Sequence, residues 1–134
     1  MLQITRRGDY AIRGMLSLAG KPNHRITLIS EIASDIGVSK TFLAKIFQEF
    51  SKAGLVNSYR GAGGGFTLGR PAKKITLLEI LEAVEGPITL SKCVLSRRSC
   101  RWESACPVNP VLRDLRDQVR RTLNKISLDQ LLKS

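Results

Sequence analysis

Apolar residues recur at helical spacing through most of this chain, and short polar or glycine-containing breaks separate the helical stretches. The spacing predicts a first helix over Arg6 to Ala19. Thr27 is predicted to cap a short second helix, Leu28 to Asp35, and Ser39 to cap a third, Lys40 to Ala53. Gly37 lies in the tight turn between them, and Gly54 ends the third helix. Two helices joined by such a turn are typical of a helix-turn-helix motif.

A β-hairpin is predicted directly after the third helix. Leu55 to Tyr59 and Phe66 to Leu68 have strand character, and the tip between them reads Arg60-Gly61-Ala62-Gly63-Gly64-Gly65. This glycine run lacks the Lys-Ser/Thr ending of a phosphate-binding loop and joins two strands, which argues against a nucleotide site. A hairpin in this place is a wing, and its tip is either a floppy loop or a thin element for a DNA groove, with Arg60 and Arg70 beside it.

The C-terminal part returns to helical spacing. Thr76 and Glu79 form a capping box for a helix from Leu77 to Val84, and Ser127 caps a last turn, Leu128 to Leu132. A long helix over about Asn109 to Ile126 carries a near-heptad seam, made of Leu112, Leu115, Val119, Leu123 (or Thr122) and Ile126. The high charge of its other faces favours a partner helix over packing on its own domain.

These elements predict a mainly α fold with a small β-hairpin wing: a winged helix-turn-helix followed by a long C-terminal dimerisation helix. We expect residues 1–74 to form the DNA-binding domain. Residues 75–134 should contain a cysteine loop and the dimerisation helix.

The charge of the chain points to an anionic partner. The 134 residues carry a formal net charge of +11. Residues 1–74 contain 12 basic and four acidic side chains, so +8, whereas residues 75–134 contain ten and seven, so +3. The excess lies where the helix-turn-helix is predicted, which favours DNA over simple solvation of the surface. Base edges should be met by the start of the third helix, and phosphates or a groove by the wing. The candidate DNA-binding residues are Ser39, Lys40, Thr41, Lys45, Arg60, Gly61, Gly63 and Gly64.

The cysteines are confined to one short segment, as Cys93, Cys100 and Cys106. Their odd number argues against a closed set of disulfides, and the single histidine, His24, argues against a complete zinc site. Basic flanking residues favour thiolates over buried thiols. Thiolates are soft ligands, so an iron–sulfur cluster fits best, with zinc and redox-active thiols as alternatives.

The sequence resembles a known family at this point. The start L-Q-I-T-R-R-G-D-Y-A-I-R-G-M-L, the wing stretch N-S-Y-R-G-A-G-G-G-F-T-L-G-R, and three cysteines followed by a long helix with L-R-D-L resemble bacterial winged-helix repressors of the IscR, NsrR and RirA type. The resemblance covers essentially the whole chain. It implies a homodimer that reads an approximately two-fold operator in double-stranded DNA. It also implies a [2Fe-2S] or [4Fe-4S] cluster whose presence changes DNA affinity.

The fourth ligand of such a cluster departs from the IscR pattern. That branch has a histidine three residues after the third cysteine, where this chain has Asn109, a poor iron ligand. Members of the NsrR type use an aspartate in the first helix of the other subunit, and the matching residue here is Asp9. Asp9 is therefore a candidate metal ligand from the partner subunit, although a carboxylate there also complements the helix dipole.

Other functional classes receive little support. A catalytic cysteine needs a neighbouring base, and the chain has neither a nucleophile elbow nor an H-E-x-x-H motif, so no enzyme is predicted. An electron carrier would not need a basic winged helix. A cluster-free regulator that binds a small molecule or a partner enzyme is a third possibility. No signal peptide or membrane-spanning stretch is visible, which predicts a cytoplasmic protein without membrane contact.

Overall fold

The computed structural model describes residues 3–90 and 107–134. These ranges contain, in order, α1 (Arg6–Ala19), α2 (Ile29–Ile36), α3 (Lys40–Lys52), β1 (Val56–Tyr59), β2 (Gly65–Leu68), a 3-10 turn (Ala72–Lys74), α4 (Leu77–Glu85), α5 (Val108–Lys125) and α6 (Leu128–Lys133). The strands pair antiparallel, with Val56 opposite Leu68 and Tyr59 opposite Gly65. The mainly helical fold with one hairpin agrees with the prediction, and most element ends lie within one or two residues of it.

Side-chain caps explain where several helices begin. The Thr5 hydroxyl accepts a hydrogen bond from the Gly8 N–H at 3.0 Å, and Ser39 accepts one from Phe42 at 3.1 Å. Thr76 with Glu79 and Ser127 with Gln130 form reciprocal capping boxes. The caps at Ser39, Thr76 and Ser127 confirm the sequence prediction.

The predicted cap at Thr27 is wrong. Helix α2 begins one residue later, after Leu28, and has no side-chain cap. Thr27 is fully buried, and its N–H and carbonyl pair with Phe66 of the wing at 2.9 and 2.8 Å. The residue therefore forms an isolated antiparallel β-bridge to the hairpin, in which both of its backbone polar groups are satisfied.

The hydrophobic core joins α1 to the helix-turn-helix. The buried residues of α3 are Leu43, Ile46, Phe47 and Phe50. Gly14 permits the close packing of α1 on α3, since a Cβ there would lie 2.9 Å from the Phe47 ring. The adjacent rings of Phe47 and Phe50 meet edge to face with centroids 5.1 Å apart.

The same core continues into the C-terminal part of the chain. Ile75, Ile80, Val84 and Leu128 are buried in one cluster with residues of α1 and α3. The Leu128 N–H also bonds to the Ile75 carbonyl at 2.8 Å. Residues 1–74 and 75–134 therefore share one hydrophobic core. The division at residue 74 separates predicted functional roles, and it stays a prediction.

The predicted seam of α5 divides into two halves. Val119 and Leu123 line a groove on their own protomer together with Leu81 and Ile88. Towards the N-terminal end, Val108, Val111 and Leu115 are 51, 64 and 40% exposed. The exposed stripe thus includes two valines outside the predicted seam, whereas Val119 and Leu123, from its second half, are half-buried and line the groove.

Candidate DNA-binding surface

The first turns of α3 present a polar, basic face. Ser39, Lys40, Thr41 and Lys45 are all exposed. The Ser39 cap fixes where the helix starts, and burial of Leu43, Ile46 and Phe47 turns the opposite face into the core. Four of the residues selected from sequence therefore lie together on one accessible end of α3.

The same face extends further than the sequence reasoning selected. Gln48 and Lys52 are exposed and follow Thr41 and Lys45 at helical spacing. The spacing i, i+4, i+7 and i+11 from Thr41 would have identified both residues. A glutamine amide can pair with an adenine edge, so Gln48 adds a possible base contact to this face.

The tip of the wing is a tight glycine turn. Arg60, Gly61 and Gly63 are exposed, and the Gly64 N–H closes the turn on the Gly61 carbonyl at 3.0 Å. Gly61 has φ 98°, which favours glycine. A Cβ on Gly64 would lie 2.4 Å from the Tyr59 carbonyl oxygen, whereas Gly63 has open space around it. The glycines therefore define a specific turn rather than a floppy loop.

The wing is attached to the core by its return strand. The Phe66 ring lies 5.1 Å from the Phe47 ring, centroid to centroid, and its backbone pairs with Thr27. The wing consequently packs directly on α3, so both halves of the surface are joined through the same core.

Arg70 does not belong to the tip. Its guanidinium donates to Glu79 Oε2 at 2.6 Å and to the Lys74 carbonyl at 3.3 Å, at the base of the wing. Although partial burial by itself would raise the pKa of Glu79, hydrogen bonds from Arg70 and the Thr76 N–H hold it below its usual value. The expectation that Arg70 flanks the tip is therefore wrong, because this ion pair holds it against α4.

Comparisons with known proteins agree with this geometry. Residues 4–134 match the Rrf2 family, described as iron-dependent transcriptional regulators. The transcriptional regulator IscR of Xenorhabdus nematophila is 32% identical over 133 residues, which are 99% of this chain and 80% of that protein. IscR of Pectobacterium atrosepticum is 33% identical over 131 residues, which are 98% of this chain and 79% of that protein.

The chain belongs to the Rrf2 family.

Solved structures support this assignment at the level of the fold. CymR, the global cysteine regulator of B. subtilis, has a TM-score of 0.80 at 30% identity, covering 99% of this chain and 98% of that one. IscR of T. potens has a TM-score of 0.77 at 26% identity, covering 98% of this chain and 87% of that one. The chain is thus a winged-helix, DNA-binding transcriptional regulator and not an enzyme, as predicted.

The predicted metal ligands of this Rrf2 protein are only partly within the described ranges. Cys93, Cys100 and Cys106 lie outside them. Asp9 lies in the first turn of α1, is 47% exposed, and pairs with Arg13 at 3.0 Å. In residues 3–90 and 107–134, no three His, Cys, Asp or Glu side chains are grouped to hold a metal ion.

Asn109 takes the place of the IscR histidine in a different role. It is buried at the start of α5, and its Oδ1 accepts a hydrogen bond from Arg113 Nε at 2.9 Å. The side chain is therefore built into the first turns of the long helix. As for membranes, no helix within the described ranges is both long and apolar enough to span one.

Proposed function

We propose that the chain is a homodimeric regulator whose affinity for operator DNA is set by an iron–sulfur cluster on Cys93, Cys100 and Cys106. The observation that carries the proposal is the placement of all three cysteines within fourteen residues of a chain from an iron-dependent family. Its IscR relatives, about one-third identical over nearly the whole chain, support the same role. The cluster would be [2Fe-2S] or [4Fe-4S].

The donor set fits such a group. Three thiolates are soft ligands suited to iron–sulfur centres, which act as one-electron redox groups and are labile when one ligand is weak. Cationic residues of the same segment, Lys92, Arg97, Arg98 and Arg101, would favour the thiolate forms.

A fourth ligand from the partner subunit is the next part of the proposal. The Asp9 side chain is 47% exposed and pairs with Arg13, one helical turn along, so part of its carboxylate is accessible to solvent. An Asp9 contribution would connect α1 of one protomer to the cysteine segment of the other. Loss of that connection would then change the spacing of the two recognition helices.

Dimerisation is proposed to occur through the exposed stripe of α5. Val108, Val111 and Leu115 form an apolar edge on a helix whose remaining surface is strongly charged. A second copy of the same helix would bury this edge, as in a two-stranded helical seam. Residues 75–134 would thus supply the sensor and the dimer contacts.

Residues 1–74 are proposed to read the DNA. The start of α3, with Ser39, Lys40, Thr41 and Lys45, would enter the major groove. Arg60 at the wing tip would enter the adjacent minor groove, with the exposed Gly61 and Gly63 allowing close approach and the buried Gly64 shaping the turn from within. Two-fold symmetry of the dimer predicts an approximate inverted repeat, read in the bacterial cytoplasm without membrane contact.

Two contacts could transmit the state of the cysteine segment to α1. Glu82 accepts hydrogen bonds from Arg120 of α5 and from the Ile88 N–H at 3.1 Å, just before that segment. One turn further along α4, Glu85 accepts from the hydroxyl of Thr5, the cap of α1. The chain thus links α5, the approach to the cysteines and the first helix through one end of α4.

The test is to replace each cysteine singly by alanine, with Ser96→Ala as a control in the same segment. After anaerobic purification, the three cysteine variants should lose iron and acid-labile sulfide, because no spare thiol is available. Their operator affinities should all shift in the same direction, whereas Ser96→Ala should match the parent. Cysteine variants that bind iron and regulate DNA like the parent would disprove the sensing proposal.

Asp9 is tested separately. Asp9→Ala should leave a cluster with an altered spectrum and a shorter lifetime, in a dimer that remains folded. An unchanged spectrum and lifetime would rule out the cross-subunit ligand while leaving the cysteine proposal intact.

A thiol-based redox regulator is the second candidate. The observation that favours it is the similarity to Staphylococcus aureus CymR, solved in an oxidized form, with a TM-score of 0.75 at 29% identity. Under this alternative the anaerobic protein contains no iron, and an oxidant changes its DNA affinity only when the cysteines are present. Zinc bound by the cysteines would appear as one equivalent of metal without sulfide, and an electron carrier would bind no operator.

A further inference from the structure

A cavity of about 450 Å³ lies between the wing and the loop that joins α1 to α2. One wall is formed by the loop, residues 21–25, and the other by the face of the hairpin that carries Asn57, Tyr59 and Thr67. The cavity is large enough for a small metabolite. None of the DNA-binding residues proposed above lines it.

The walls of the cavity are cationic. They include the side chains of Lys21, Arg25 and Arg70, and no acidic residue lines the cavity in the described part of the chain. Each cation also pairs with a carboxylate outside the lining, which a bound anion would share or replace as a partner. The shortest distances are 2.6 Å from Lys21 to Asp35, 2.9 Å from Arg25 to Glu31 and 2.6 Å from Arg70 to Glu79.

The pKa shifts of Lys21 and Asp35 reflect their ion pair. The hydrogen bond to Asp35 raises the pKa of Lys21, and the same bond lowers the pKa of Asp35. The Lys21 ammonium therefore remains charged at neutral pH.

The rest of the lining combines an apolar surface with hydrogen-bonding groups. The apolar part consists of Leu18, Ala19, Leu68, Pro71 and Ala72. The polar residues in this part of the lining include Asn57, Tyr59 and His24. His24 has φ 65°, the one positive value outside glycine among the described residues, and strain of this kind concentrates at ligand sites.

We propose that this cavity binds a small organic anion, a carboxylate or phosphate ester with a short apolar or aromatic body. Its charged group would lie among Lys21, Arg25 and Arg70, and its body against Leu68 and Pro71. A DNA backbone phosphate carries the same kind of charge, so operator DNA is the competing occupant of the cavity. Since Tyr59 directly precedes Arg60, a bound ligand would also tie the wing to the α1–α2 loop and alter operator affinity. This last step rests on the proposed function.

The binding test uses phenyl phosphate and inorganic phosphate as probes. Each is titrated into the full-length, DNA-free protein while backbone amides are followed by NMR. We expect saturable shifts centred on residues 21–25 and 67–70. Phenyl phosphate should bind about tenfold more tightly or better, because its ring removes apolar surface from water. Absence of saturable shifts, or equal binding of the two probes, would overturn the proposal.

Two conservative variants locate the site. Arg25→Gln and Tyr59→Phe should each weaken phenyl phosphate binding several-fold, whereas Arg121→Gln, on exposed α5 surface, should match the parent. Unchanged melting temperatures would show that the variants are folded. Equal binding by all four proteins would place the probe elsewhere and overturn the assignment.

Operator DNA separates the two sources of the anion. If the cavity takes a free ligand, phenyl phosphate binds the protein–DNA complex and shifts its affinity. If operator DNA displaces phenyl phosphate competitively, the cavity is a backbone-phosphate site and the small-ligand proposal fails. If phenyl phosphate binds but operator affinity does not change, the proposed effect on DNA binding is refuted and the binding site itself stands. Failure of the parent to bind any DNA would instead count against the proposed function.

Discussion

Neighbouring glycines of the wing have unequal structural roles. Gly64 is enclosed by backbone, with the Tyr59 and Gly61 carbonyl oxygens 2.4 and 2.9 Å from where a Cβ would lie, whereas Gly63 meets nothing within 4 Å. Backbone atoms cannot move aside as a flexible side chain can. Of these two residues, only Gly64 therefore has to be glycine for the turn to fold.

Replacing Gly64 by alanine should accordingly distort the wing. We expect a loss of about 1–3 kcal/mol in the free energy of unfolding, typical of overpacking, together with weaker operator binding. Thermal unfolding and a DNA shift assay provide the measurements. Gly63→Ala is the matched control and should unfold like the parent. Equal destabilisation of both variants would show that the turn geometry is not the cause.

Arg60 is the second residue for which we predict the effect of a substitution on DNA binding. Arg60→Ala should weaken operator binding by about 1–3 kcal/mol and flatten its dependence on salt, because a cation at the DNA is lost. Binding is measured by fluorescence anisotropy over a range of salt concentrations. Arg121→Ala removes the same charge from exposed α5 surface and should leave both quantities unchanged. An unaltered salt slope in Arg60→Ala would refute the role assigned to the wing tip.

At the scale of elements, α5 makes two different contacts with its apolar residues. Val119 and Leu123 are half-buried and line a groove with Leu81 of α4, so charging them would also change that groove. Val111 and Leu115 are exposed and can be changed without opening the core. This distinction determines which substitutions test the dimer.

The double variant Val111→Glu with Leu115→Glu should be a folded monomer. Two carboxylates on each helix would have to be buried against their symmetry mates, which strongly opposes association. Sedimentation gives the oligomeric state, and far-UV circular dichroism checks the helix content. As a control, Arg121→Glu with Lys125→Glu places two carboxylates at the same i, i+4 spacing on exposed positions of α5 and should leave the dimer intact. A dimeric Val111/Leu115 variant would show that another surface joins the protomers.

For the whole molecule, two ion pairs connect separate segments and depend on pH. Lys21 and Asp35 join the α1–α2 loop to α2, and Arg70 and Glu79 join the wing base to α4. The pKa of Asp35 is lowered by Lys21 and Ser17, and that of Glu79 by Arg70 and Thr76 against the opposing effect of burial.

The lowered pKa values of Asp35 and Glu79 predict that the protein loses stability in acid. Carboxyl groups in an unfolded chain titrate near about 4, and the folded values lie lower, so the unfolded state binds more protons as the pH falls. The stabilisation is complete above the unfolded values and disappears as pH falls through the folded ones. Thermal unfolding of Asp35→Asn and Glu79→Gln should show melting temperatures below the parent at pH 7, with the gap closing in acid. A gap independent of pH would contradict this account.

Much of the fold could be read from local signals. The ends of α1 and the caps at Ser39, Thr76 and Ser127 follow from short-range chemistry, which a sequence displays directly. The wing and the basic start of α3 follow from strand pattern, glycine content and charge in the same way. Family membership, which the comparisons confirm, rests on these same stretches.

Only the tertiary structure decided the features that depend on residues far apart in the chain. Thr27 was predicted to cap a helix, but its backbone pairs with Phe66, nearly forty residues later. Arg70 was expected at the wing tip and instead reaches Glu79. Periodicity predicted an apolar seam on α5 but missed the exposed Val108 and Val111 and could not show which residues line the groove beside α4. The cavity beside the wing has no sequence pattern at all. Local periodicity and capping act over a few residues, whereas pairing, burial and the shape of a cavity are set by which distant segments meet.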